Sequence, residues 1–286
     1  MTSTLQDLLP PNLLRFVAEK WIPLEKKEPF ANFGEALRKG VFHSDASHRA
    51  LFHKTLWPTL TFMTKLDVEN PPDWMALLPP VEDPEFPARA FGLQLILDQA
   101  PRVLFEGVNQ RWVFAFFDEL SIKYALALQD LPANLRPSSW DRWKDSVTFD
   151  YFLILRLYFG APLVHHEKTA EAAVKFTEET RTLIEERFNV RDPIREQPGK
   201  RWDMYGFPKM ISAGPPAELR DTASGGFWIQ HLMDVHKPPL DKFGRYPYRN
   251  WVLGREMTAA EEEWIGKADY FKPPPEDSAS FQKNKC

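Results

Sequence analysis

The sequence predicts an all-α fold of antiparallel helix pairs, and two observations carry that expectation. Apolar residues recur at helical spacing through several long stretches. Runs that alternate apolar with polar residues are scarce, and the Asn-Gly and Asp-Gly dipeptides that mark tight hairpins are absent.

In chain order, residues 87–100 begin with Pro87, which suits a first helical turn, and end before Pro101, with Phe91, Leu95 and Ile96 near helical spacing. Residues 109–129 offer Asn109 as N-cap and repeat Trp112, Phe116, Leu120 and Tyr124 at intervals of four. Residues 145–159 and 167–188 continue the pattern, the second with the alternating charges of a solvated face. Further helices are expected over residues 227–237 and 258–267, the last opened by Thr258 and a capping box with Glu261.

Two stretches break this rhythm. Residues 70–87 form a proline-dense connection. Residues 191–226 mix prolines and glycines with Trp202, Met204, Tyr205 and Phe207, and read equally as an ordered lid or as a surface excursion packed for stability. "TASGG" at 222–226 reads as a hinge. A single domain over residues 1–270, with the insertion at 191–226 and a frayed tail at 271–286, accommodates all of this.

With 286 residues, 43% hydrophobic and 14% aromatic, the chain can bury a substantial core. Its net charge of -4 is spread along the chain, so the concentrated basic footprint of a nucleic-acid binder is missing. The apolar run at 149–157 carries Asp150 and Arg156 and falls far short of the roughly 20 residues of a membrane span. Cys286 is the sole cysteine and no secretory signal is evident, so a cytoplasmic location is expected. No dinucleotide, P-loop, HExxH, CxxC or GxSxG motif occurs, so no cofactor is expected. His165, His166 and Glu167 make a poor zinc template, and no metal is expected either.

What remains are polar clusters at helix ends. Asp98 and Gln99 close the helix at 87–100, with Arg102 just past the proline; His165, His166 and Glu167 open the helix at 167–188. Near the end, His236 precedes "DKFGRYPYRNWVLGRE" at 241–256, where Gly244, Pro247 and Gly254 stop Arg245, Arg249 and Arg255 from lining one helix face. Each cluster also has a plain structural reading: an Asp98–Arg102 pair between helices, a carboxylate favoured by a helix N-terminus, a histidine at a helix C-terminus.

Together these stretches carry a resemblance. "LILDQAPR" followed by Phe105 and Gly107, then His165 and Glu167, then His236 and "FGRYPYRN" running on through Leu253, Gly254, Arg255, Thr258 and Glu261, resemble the DUF924 family. That family groups mostly bacterial proteins of unassigned function, and the resemblance implies an all-helical, tetratricopeptide-like array. Departures mark a divergent, specialised member: Ala100 and Val103 thin the first motif, His166 stands where the family carries serine, Tyr248 where it carries histidine, and Pro238 and Pro239 replace a polar-aliphatic pair.

A fold without a reaction leaves function to the site. The expectation is one cleft between helices holding Asp98, Arg102, His165, Glu167, His236, Arg245, Arg249 and Asn250, roofed by residues 202–207. Guanidinium forks suit carboxylate, enolate or phenolate oxygens, and aromatic rings suit a flat conjugated ligand. This describes a cofactor-free isomerase, lyase or cyclase acting on a small oxygen-rich or anionic metabolite, as in secondary metabolism. His236 or His165 would exchange protons, Asp98 or Glu167 would orient the imidazole, and Arg245 with Arg249 would stabilise developing charge. Arg102, Gln99, Asn250, Tyr248, Arg255, Trp202 and Tyr205 would contact the substrate. The alternatives are a non-catalytic helical-repeat scaffold gripping a peptide or partner protein, and a purely structural corner.

Overall fold

A computed structural model describes residues 4–42 and 45–268 of the protein; the expected tail at 271–286 lies outside the described residues. Among them every regular element is a helix and none is a strand. The N-terminal part runs through α1 (Leu5–Leu8), α2 (Pro11–Lys20), α3 (Phe33–Gly40) and α4 (Ala46–Met63). Next come α5 (Phe86–Gln94), α6 (Ala100–Leu104), α7 (Gln110–Trp112), α8 (Asp118–Gln129), α9 (Phe149–His165) and α10 (Ala170–Phe188). The C-terminal part holds α11 (Pro198–Arg201), α12 (Gly206–Ala213), α13 (Thr222–Asp234), α14 (Lys237–Phe243), α15 (Asn250–Leu253) and α16 (Ala259–Ala268).

α9 is the axis of the structure. Its residues are apolar all round and buried from Phe149 to Val164, as expected of a helix with neighbours on every side. It starts at Thr148, whose hydroxyl accepts the Tyr151 N–H, and packs against α3, α5, α8, α10 and α13. Its two buried charges are satisfied locally. Asp150 accepts from the Phe30 N–H and the Thr222 hydroxyl, and Arg156 donates to Thr180 and to the Ser138 carbonyl. Extensive packing also joins α2 to α5 and α10 to α13, and one apolar core extends from Leu9 to Met233. The all-helical expectation therefore holds; a tetratricopeptide-like repeat stays an expectation. No helix among the described residues is long and apolar enough to cross a membrane.

Several boundaries differ from the sequence-based reading. The helix begun by Phe86 does not stop before Pro101. It passes through a π-helical turn at Leu95–Gln99, closed by the Ala100 N–H on the Leu95 carbonyl, and continues as α6. Proline cannot donate the next ladder bond, and this widened turn is the local irregularity that lets the chain pass it. A second π-turn, Val113–Phe117, joins α7 to α8; Asn109 is helical in φ and ψ and caps nothing with its side chain. α9 runs on through Pro162, so His165 ends a helix and Glu167 lies in the connection to α10 rather than opening it.

The "TASGG" stretch is no hinge. It forms the first turn of α13, where a Cβ on Gly225 would lie 2.2 Å from the Phe33 ring and one on Gly226 would lie 2.7 Å from Ile184. These glycines serve close helix packing.

Residues 191–226 are anchored rather than loose. Buried Arg181 donates to Asp192 and to Asp234, each at 2.7 Å. Arg195 pairs with Glu178 and Glu185, and Arg201 with Asp234 and Glu178. Farther on, the Leu219 carbonyl accepts from the Gly34 N–H on α3. The packed excursion, not a free lid, describes this segment.

Candidate functional site

The two π-turns position the site. Asp98 sits within the first and Asp118 directly follows the second, and both are almost fully buried. A π-turn inserts one residue into the ladder and rotates the helix beyond it, a device frequent at functional sites. Here it turns two carboxylates of separate helices toward Arg102. Asp98 accepts from Arg102 Nη2 at 3.4 Å, from Gln99 Nε2 at 2.6 Å, and from His165 Nδ1 at 2.9 and 3.0 Å. Asp118 accepts from the same Arg102 nitrogen and from Arg249 Nη1 at 2.9 Å.

Burial by itself would raise the Asp98 carboxyl, but the charges of His165 and Arg102 and the bonds from His165 and Gln99 hold it at about 2. Asp98 is therefore ionised and can only accept, so Nδ1 of His165 carries the proton. In a neutral ring that leaves Nε2 with a free lone pair. Burial first, then the Arg102 charge, keeps the His165 pKa below 6.5. Its side chain is 20% exposed and Arg102 18%, so this edge of the cluster reaches solvent.

Arg249 forms the inner wall. Its guanidinium lies 4.5 Å from the Phe114 ring centroid, 4.6 Å from that of Tyr246 and 5.6 Å from that of Tyr248. Tyr246 and Tyr248 stack at 5.4 Å. Glu167 pins this corner, accepting from the Tyr246 N–H at 3.0 Å and from both terminal nitrogens of Arg255 at 2.9 and 3.0 Å. Burial would raise the Glu167 carboxyl, but these bonds keep it below its usual range.

The remaining candidates fall elsewhere. Arg245 forks onto Glu261 at 2.7 and 2.8 Å and caps the Glu256 carbonyl; Asn250 is fully buried and donates to the same carboxylate at 3.2 Å. Led by the Arg245 bond, these contacts lower Glu261 to about 2. With the Thr258 capping box and left-handed Gly244 and Gly254, they make a corner clamp, so Arg245 and Asn250 do not face His165 as expected.

His236 is buried and its Nδ1 donates to the Leu232 carbonyl at 2.8 Å, while Phe207 packs on the ring at 3.9 Å. Burial, then the nearby His165 charge, pushes it down to about 3, so it is neutral near pH 7 and poorly placed to exchange protons. Of the expected roof, Phe207 reaches His236 and Tyr248, whereas Tyr205 stacks on Trp264 and Trp202 lies under Arg201. His166 bonds Glu119 instead of joining a metal site. Among the described residues no three His, Cys, Asp or Glu side chains converge as metal ligands would.

Asp118 escaped the sequence reading. Its signal was a carboxylate embedded in the run "VFAFFDEL", on a helix whose other apolar positions kept strict spacing.

The chain matches no curated protein and no solved structure. A family model described as "Bacterial protein of unknown function (DUF924)" matches residues 81–269. That span takes in both π-turns, the Asp98–His165 pair and the whole Arg245–Glu261 corner, and the chain belongs to the DUF924 family.

Proposed function

We propose that the protein is a cofactor-independent enzyme that moves protons on a small anionic or oxygen-rich, flat metabolite, by isomerisation, dehydration or cyclisation. One observation carries this reading: His165 is held through Nδ1 by buried Asp98, which leaves Nε2 as a base at a partly exposed edge beside Arg102. Asp98 is the positioning residue. Arg102 is the group available to an anionic oxygen, since both carboxylates share its one nitrogen Nη2 and the side chain keeps an exposed edge. Tyr248, the partly exposed member of the Tyr246, Tyr248 and Arg249 stack, suits a conjugated ring next to that oxygen. In this reading Arg245, Asn250 and Glu261 hold the corner, and the cytoplasm supplies the substrate.

The direct test exposes wild-type protein and His165→Gln to a metabolite extract in D2O and compares the products by mass spectrometry. Proton transfer by His165 predicts deuterated or mass-neutral rearranged species formed by the wild type alone. Identical spectra from the two proteins would refute it.

A further inference from the structure

A second concavity lies away from this cluster, between α2, the start of α5, the turn at residues 142–147 and the first turns of α9. It encloses about 300 Å³, within the size range of small-molecule pockets. Its walls are apolar, with Phe91, Trp143, Val147 and Leu155 all buried. Within this lining Tyr151 is 1% exposed, and its hydroxyl has no hydrogen-bond partner. A buried phenol without a partner is costly in a folded protein unless a ligand completes it. Burial raises its pKa, so it stays a neutral donor.

The rim is polar and carries an excess of cations. Arg15 pairs with Glu85, Arg142 donates to the Asp83 carbonyl, and Glu19 completes the border. Half-buried Lys26 also lines the pocket and has no ion-pair partner among the described residues; burial lowers its pKa, partly offset by the Glu19 charge. Tyr151 and His165 lie fourteen residues apart on α9, which places the two sites roughly 21 Å apart along the helix.

We infer that this pocket is a binding site for a small aromatic or branched carboxylic acid, its apolar body against Phe91 and Trp143, its carboxylate shared between the Tyr151 hydroxyl and Lys26. The apolar walls account for the body, the orphan hydroxyl for one bond to an acceptor, and the unpaired ammonium for the charge. Arg15 and Arg142 add to the attraction; Glu19 and Glu85 limit it to a single anionic group. This site does not depend on the acid–base reading.

Isothermal titration of the full chain with 3-phenylpropionate and indole-3-acetate tests it, with 3-phenylpropanol as the uncharged control. Saturable binding of at least one acid is expected, with the alcohol clearly weaker. Tyr151→Phe should weaken the acid about tenfold or more, the worth of one hydrogen bond to a charged acceptor, with a melting temperature unchanged or higher. Lys26→Met should weaken it about tenfold while retaining the aliphatic stem, and His165→Gln should bind like the wild type. Absence of binding by both acids, wild-type affinity in the Tyr151 and Lys26 variants, or loss of binding in His165→Gln would each overturn the assignment.

Discussion

The carboxylates of Asp98 and Asp118 meet at one nitrogen, Nη2 of Arg102, although they come from two helices interrupted by separate π-turns. Arg249 supplies the second cation, so two buried anions face two guanidinium groups. Removing one member leaves a buried charge without its partner, which is far costlier than losing an exposed pair. Asp118→Asn is expected to destabilise the fold by about 3 kcal/mol. Urea denaturation would read this as a lower midpoint at unchanged slope.

If His165 is the base, its neutral form is the active one, and turnover should fall as pH drops through a pKa below 6.5 while staying level through neutrality. Asp98→Asn offers an amide N–H to Nδ1, which moves the proton to Nε2 and removes the lone pair. A loss of about 10²- to 10⁴-fold in turnover is expected, together with a shifted acid limb in the pH–rate profile. A merely structural Asp98 would lower the amount of folded protein without moving that limb.

The pH dependence of stability has a definite sign. His236 is held at about 3 against an ordinary 6.5, so below pH 6.5 the unfolded chain takes up the proton that the folded ring refuses. Its contribution is fully present above 6.5 and is lost as pH falls toward 3. Asp98 and Glu261, each held at about 2 in the fold, add losses only below about pH 5. Thermal melts at pH 7.5, 6 and 5 should show a steady fall in the wild type. His236→Phe should flatten that fall whatever its absolute melting temperature.

The anchoring of residues 191–226 depends on Asp234, which accepts from Arg181, Arg201 and Thr177. Asp234→Asn is expected to cost about 3–5 kcal/mol, since Arg181 is fully buried. Limited proteolysis should then cut between Asp192 and Ala213 far faster than in the wild type. Equal cutting rates would show that the segment is held by other contacts.

Gly225→Ala probes the close approach of α13 to α3. The added Cβ meets the Phe33 ring at 2.2 Å, and overpacking of that kind costs about 1–3 kcal/mol. A hinge role would instead leave the melting temperature unchanged.

Much of the helical order was legible because it rests on local rules. The capping box at Thr258 and Glu261 and the four-residue spacing of Phe116, Leu120 and Tyr124 need no knowledge of distant chain. The π-turns were invisible for the opposite reason. Nothing in "LILDQAP" distinguishes an inserted residue from a regular turn until the helix must pass Pro101 and pack on its neighbours. Hence Pro101 read as a stop and Asp118 was passed over.

The candidate site divides along the same line. Residue chemistry and motif spacing singled out Asp98, Arg102 and His165 near helix ends and Arg249 in the turn-rich segment at 241–256. Which of them meet was settled by packing. Arg245 and Asn250 were drawn to Glu261, Glu167 to Arg255, and His236 to its own helix carbonyl. By itself the sequence determined an all-helical chain with its polar groups gathered at helix ends. Tertiary structure alone decided their partners, because hydrogen bonds act over about 3 Å and the residues joined here lie as far as 131 positions apart.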